Sequence, residues 1–369
     1  MKERKYVLGA LVACLVIVAS ALAGLAAAKP GKKEEAFKVA WIYPGPHNDG
    51  GWSQAHDAGR LAVEKALGSQ VQTTYKENVF SNASVPQIVA GLVRDGYKMI
   101  FGTSFGMFEL GVNGQLADKY PNVLFEQATG TQIKKNQAEY FGAAEDTIYL
   151  SGMAAGAATK KGVIGYVVPY GIPEVVRHLN AFTLGAQATH PGARVKIVWT
   201  NAWFSPPKET AAAKALVNAG ADVIGQNVDS PAAGVYAEKA GVPWVGYDSD
   251  AKKFAPKQWL TAAVYDWGKY YVRRVKAAIN GSWKPGFYYG SVKDGFTSLA
   301  AYGPKVSAKT KAAIAAKRQQ ILSGKWHAFC GPIYDQSGKL RIKPGHRASI
   351  ADLMSMNYLV KGVIGSPKG

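Results

Sequence analysis

The chain has 369 residues, 48% of them hydrophobic, enough for two domains with ordinary cores, which excludes a disordered chain. Its formal net charge is +19, but the lysines are dispersed in pairs such as Lys32-Lys33, Lys134-Lys135 and Lys252-Lys253. With no long basic block a nucleic-acid partner is not expected, and an exported protein facing an anionic membrane accounts for the charge.

Lys2, Arg4 and Lys5 precede an apolar run from Tyr6 to Leu25, and Ala26-Ala27-Ala28 then offers the small-x-small pattern that signal peptidase cleaves. Residues 1–28 therefore read as a signal peptide and the mature protein as periplasmic or extracytoplasmic. The alternatives are a retained anchor and acylation at Cys14, where Leu11-Val12-Ala13-Cys14 has lipobox character. Beyond residue 28 Cys330 stands alone, which excludes an intrachain disulfide and a cysteine-based metal site.

From Phe37 onward strands and helices alternate. Phe37–Tyr43 is strand-like, Pro44–Gly51 is rich in turn residues, and Trp52–Leu67 has helical spacing that stops at Gly68. The cycle continues with strand Val71–Tyr75, helix Val85–Arg94, strand Met99–Phe101, helix Phe108–Lys119 and strand Val123–Phe125. A small-residue helix over Thr147–Lys160 opens a second series. In it, strands at Val163–Val167, Val195–Trp199, Val223–Ile224 and Trp244–Gly246 alternate with helices at Ile172–Thr189, Lys208–Ala219 and Ala232–Ala240. Two comparable α/β halves, each with parallel strands and helices on both faces, predict two lobes with a cleft between them.

Ligands in such sheets bind beyond the carboxyl ends of the strands. Those ends carry Asn48, Asp49 and Trp52; Thr103 and Ser104; and Gln127 in the first half. In the second they carry Tyr170, Trp203 and Phe204, Asp229, and Tyr247 with Asp248. Aromatics, carboxylates and amides dominate, a set suited to a flat, neutral, hydrogen-bonding ligand. No Walker-type glycine loop or arginine cluster is present for a phosphate. Asn48 and Asp49 have a plainer reading as caps of the helix starting near Trp52. The six histidines lack metal-ligand spacing and no Gly-x-Ser-x-Gly elbow occurs, so neither an enzyme, a metal nor a cofactor is expected.

The stretch His47-Asn48-Asp49-Gly50-Gly51-Trp52-Ser53-Gln54, with Gly102-Thr103-Ser104 and Val245-Gly246-Tyr247-Asp248-Ser249-Asp250, resembles the basic membrane protein (BMP) family of substrate-binding proteins of ABC importers. The likeness implies a type I periplasmic-binding-protein fold, two doubly wound α/β lobes joined by hinge crossings. Its implied bounds are 36–142 plus 266–284 for the N-terminal lobe and 143–265 plus 285–369 for the C-terminal lobe. It implies that Asn48 and Asp49 contact a purine, that Trp52 and Trp203 (Phe204 as fallback) stack on it, and that Asp248 stands where nucleoside binders hold ribose. The chain departs from the nucleoside pattern at Tyr265 or Asp266, where a lysine is expected. Asn227-Val228-Asp229-Ser230-Pro231 likewise replaces a glycine-rich loop. These departures favour a free purine base such as adenine over a nucleoside. The implied partners are that small molecule and a transporter permease; a nucleoside, a sugar or a sensor role are the alternatives.

Overall fold

The computed structural model describes residues 35–368, so the expected signal peptide and Cys14 lie outside the described residues. The first five strands are β1 (Phe37–Ile42), β2 (Val71–Lys76), β3 (Met99–Gly102), β4 (Leu124–Ala128) and β5 (Gln137–Gly142). There follow β6 (Val163–Val168), β7 (Arg194–Trp199), β8 (Val223–Gln226), β9 (Trp244–Asp248), β10 (Trp259–Tyr265), β11 (Phe287–Gly290) and β12 (Thr297–Leu299). A short hairpin, β13 (Ile333–Tyr334) and β14 (Leu340–Ile342), and the edge strand β15 (Val363–Ile364) complete the set. One sheet has the order β11-β5-β4-β3-β1-β2 and is parallel throughout. The other has the order β12-β10-β9-β8-β6-β7-β15 and is parallel except for β12. Central strands such as Met99–Gly102 and Val223–Gln226 are buried along their whole length, because helices cover both faces of a parallel sheet.

The helices are α1 (Trp52–Leu67), α2 (Val85–Arg94), α3 (Leu116–Lys119), α4 (Glu145–Ala158), α5 (Pro173–Thr189), α6 (Pro206–Asn218), α7 (Ala232–Ala240), α8 (Trp267–Ile279), α9 (Ala308–Leu322) and α10 (Ile350–Met354). The small-residue helix α4 packs backbone-close on α5. A Cβ on Gly152 would overlap the Phe182 carbonyl, and one on Gly185 the Tyr149 carbonyl. Only glycine permits that approach.

Two expectations need correction. The helix expected over Phe108–Lys119 is a 3-10 turn at Gly111–Gln115 followed by the single turn α3, since Gly106 and Gly111 take positive φ and break the segment. Phe287–Gly290, expected in the C-terminal lobe, pairs with β5 of the first sheet, so the chain crosses for the last time after Gly290. The loop after β1, at Gly50, meets the loop after β9, at Ser249, across the two sheets. In each sheet the order reverses at one strand, β1 in the first and β6 in the second. That is where an open α/β sheet leaves a crevice for a ligand.

Candidate functional site

The loops that leave these strand ends enclose a narrow cavity between the lobes, with only about 10 Å³ of free space. From the first lobe come Trp52, Ser104, Phe105 and Thr129; from the second come Glu174, Trp203, Asp229 and Tyr247. That is far below the roughly 300–1,000 Å³ of small-molecule pockets, so in this form the lining side chains fill the cleft and a solute enters only when the lobes part. A wider groove of about 850 Å³ lies along the seam outside it, lined for example by Asn48, Pro206 and Phe254, and opens to solvent.

The first lobe's wall is built mostly from satisfied groups, the buried Thr129 hydroxyl being without a partner. Asp49 is buried, but its carboxylate accepts from the backbone N–H groups of Gly51 (2.8 Å), Ser53 (2.8 Å) and Gln54 (3.0 Å), so it caps α1. That cap aims Trp52, the first residue of α1, inward. Its Nε1 donates to the Thr103 carbonyl at 2.6 Å, and its ring packs edge-on against His56 and Trp267, with centroids 4.6 and 5.4 Å away. Thr103 turns its own hydroxyl to the Ile42 carbonyl (2.8 Å). Gln127 is fully buried, accepts from Phe108 N (2.8 Å) and donates to the Ser104 carbonyl (2.7 Å), so it holds the loop that presents Ser104 and Phe105.

The second lobe's wall is acidic and poorly partnered. Asp229 and Asp248 are 3% and 1% exposed. Asp229 Oδ2 and both carboxylate oxygens of Asp248 have no hydrogen-bond partner in the protein. Burial pushes Asp229 well above the usual carboxylate range, reinforced by Asp49, Glu209 and Glu174; it does the same for Asp248, reinforced by Asp229, Asp49 and Glu174. Burial also raises Glu174 to about 7, against the pull of Arg177. Buried carboxyl oxygens without partners are costly and rare, and they suit the N–H or O–H groups of a bound solute. Trp203 is half-buried and meets Tyr170 edge-on at 5.4 Å; its carbonyl accepts from Asp229 N (2.9 Å), which couples the two.

The lobes meet tightly. Ser249 Oγ donates to the Gly50 carbonyl at 2.7 Å, and a Cβ on Gly51 would overlap the Asp229 carbonyl. Closure of this kind excludes water and strengthens the polar contacts inside.

Of the residues singled out in the sequence, Trp52, Ser104, Trp203 and Asp229 line the cavity directly. Asp248 and Tyr265 stand behind the wall. The Tyr265 hydroxyl is 2.9 Å from that of Tyr247, and its ring stacks on Trp267 (4.8 Å), so aromatic side chains occupy the place of the expected lysine. Thr103 and Gln127 support the loops, Asp49 caps the helix, and Tyr170 and Phe204 line an outer chamber that shares Phe105 and Trp203 with the cavity. Asn48 is exposed and faces the outer groove, which removes it from the enclosed site. Phe105, Thr129 and Tyr247, at strand ends in the sequence, also line the cavity, whereas sequence reasoning missed Glu174. The signal for Glu174 was its place, one residue into the helix that follows β6, just as Trp52 follows β1.

Among the described residues no helix is long and apolar enough to cross a membrane, and no cluster of three or more His, Cys, Asp or Glu could hold a metal ion. The family model for PnrA-like ABC transporter substrate-binding proteins, Bmp, matches residues 36–326. A purine-binding protein of Brucella abortus is 39% identical, over 94% of this chain and 98% of its own. A protein of Haloferax volcanii named as a putative ABC transporter glucose-binding protein is 36% identical over 82% of this chain and 76% of its own. A solved solute-binding protein of Aeropyrum pernix superposes with a TM-score of 0.69 at 15% identity, covering 84% of this chain and 94% of its own, and shows the type I fold. The chain thus belongs to the Bmp family of ABC transporter substrate-binding proteins, extracytoplasmic solute binders that are not enzymes.

Proposed function

We propose that the solute is a purine, a free base such as adenine favoured, taken up between Trp52 and Trp203 and delivered to the permease. The observation that carries this reading is the cavity's lining: aromatic rings from both lobes with carboxylates as its only charged groups. Rings suit the two faces of a planar solute, and stacking is worth about 1–3 kcal/mol per base. Carboxylates suit its N–H edge, and the lack of a lining cation disfavours a phosphorylated solute. The purine-binding protein of Brucella abortus, alike over nearly its full length, supports the same reading. Asp229 is the proposed reader of the edge, with Asp248 behind it and Ser104 and Thr129 as hydroxyl partners across the cleft.

A sugar is the second reading, favoured by the Haloferax volcanii relative's name and by buried carboxylates that could accept from sugar hydroxyls. Calorimetric titration with adenine, guanosine, inosine, ribose and glucose separates these. Adenine binding that the sugars do not compete supports the proposal; glucose binding with no purine affinity rejects it. Mass spectrometry of gently purified protein for a retained solute gives an independent answer.

A further inference from the structure

We propose that Glu174 is a specificity-determining residue, the acceptor that selects planar bases carrying an amino group over those presenting a carbonyl at the same edge. The inference rests on the purine reading and deepens it by naming a residue and a chemical preference.

Glu174 sits in the first turn of α5, where the helix N-terminus favours a negative charge. It is 7% exposed, and its small exposed surface is cavity surface. The same residue also borders a side extension of the cleft that shares Phe105 and Thr129 with the main cavity. One turn along α5 lies Arg177, fully buried, with its guanidinium 5.3 Å from the centre of the Phe141 ring. Glu145 and Tyr289 face the same guanidinium, and the Tyr289 hydroxyl donates to Glu145 Oε2 at 2.8 Å. Arg177 therefore gives Glu174 a nearby positive charge, while no hydrogen bond within the described residues occupies the Glu174 carboxylate.

The consequence for a ligand is geometric. The second lobe's part of the cavity offers two carboxyl groups, Glu174 and Asp229, and no amide or cation; burial holds Asp229 protonated, whereas Glu174, raised to about 7, is ionised at pH 8. An ionised carboxylate only accepts. A ligand amino group can donate to it, whereas a ligand carbonyl would set lone pairs against lone pairs and leave both groups unpaired. Sites built to hydrogen-bond a donor reject the analogue that lacks it far more strongly than apolar pockets discriminate shape. A purely structural Glu174, acting as a counter-ion for Arg177, would affect all ligands alike and would not set a preference between them.

The test uses adenine and hypoxanthine, which share a ring system and differ by amino against oxo. Calorimetry on the full mature protein at pH 8 should show adenine favoured by at least about tenfold. Glu174→Gln, whose amide offers a donor as well as an acceptor, should reduce that ratio to within about threefold, while Glu174→Asp, which keeps the acceptor, should preserve the preference. Thermal unfolding of each variant establishes that it is folded. An unchanged ratio in Glu174→Gln, or a wild-type protein that favours hypoxanthine, overturns the assignment while leaving the purine reading intact. A wild-type protein that binds neither base overturns both.

Discussion

The two lobes contribute to the cavity in opposite ways. Apart from the Thr129 hydroxyl, the first presents groups whose polar atoms are already engaged: Trp52 on the Thr103 carbonyl, Gln127 on the Ser104 loop, Asp49 on the start of α1. The second presents Asp229, with Asp248 behind it, and their free oxygens find nothing to bond in the protein. The difference suggests a division of labour, in which one lobe is a finished shelf and the other a set of acceptors completed only by the solute. Such an arrangement ties closure to the solute, because the acidic wall gains its partners only when the cleft holds one.

Forcing the lobes apart should have the largest effect. In Gly51→Val the branched side chain would collide with the Asp229 carbonyl, so the closed form is lost. Solute binding should drop beyond calorimetric detection while the circular dichroism spectrum stays that of a folded protein. Retained affinity would mean that the seam is not needed for capture. Next, Asp229→Asn should weaken binding by about 10- to 100-fold, the equivalent of one hydrogen bond to the solute, yet change the melting temperature of the solute-free protein little near neutral pH, because burial already holds this carboxyl protonated. If affinity and stability fall together, Asp229 belongs to the structure and not to the solute.

Replacing the rings sharpens the contrast between lobes. Trp203→Ala should cost about tenfold in affinity with little loss of stability, since the ring is half-buried. Trp52→Ala should cost a similar amount in affinity and about 3 kcal/mol in stability, since its ring is locked among His56, Tyr265 and Trp267. Equal stability losses in chemical denaturation would contradict the distinction.

The acidic wall also predicts a pH dependence. Burial raises Glu174 and Glu209 from 4.5 to about 7, so the folded protein holds protons that the unfolded chain has released. The stability this provides is complete below about pH 4.5 and is lost as pH rises to about 7. The melting temperature of the solute-free protein should fall across that window, and the Glu174→Gln, Glu209→Gln pair should flatten the slope. The smallest effect is expected from Ser249→Ala, which removes one hydrogen bond across the seam, about 0.5–1.5 kcal/mol, and should raise the dissociation constant a few-fold. No change would place the closing energy elsewhere on the interface.

The alternation of apolar runs and glycine-terminated helices made the two α/β halves legible, and the strand-end rule placed Trp52, Ser104, Trp203 and Asp229 at the cavity. What escaped has physical causes. Strand β5, Gln137-Ala138-Glu139-Tyr140-Phe141-Gly142, lacks the apolar signature of a central parallel strand because it buries Gln137 and Glu139. Strand β11 is four residues long and follows a proline turn, too short for a periodic signal. Asp49 illustrates the limit for the site: a carboxylate that caps a helix and one that binds a solute have the same letter at the same strand end. Asn48, its neighbour, turns outward because the turn around Gly50, at φ +85°, sets directions that spacing does not reveal. Glu174 was hidden inside a helix assignment that was itself correct.

Asp229 performs two tasks with two parts of one residue: its carboxyl faces the cavity, and its carbonyl fills the space left by the missing Cβ of Gly51. Its N–H is tied to Trp203, so shelf and acid travel together. Grip and closure thus share a single mechanical lever. A permease that pries the two backbones apart at Gly51 need not reach the cargo at all, because moving that hinge of contact withdraws the acid and the overlying ring in one stroke.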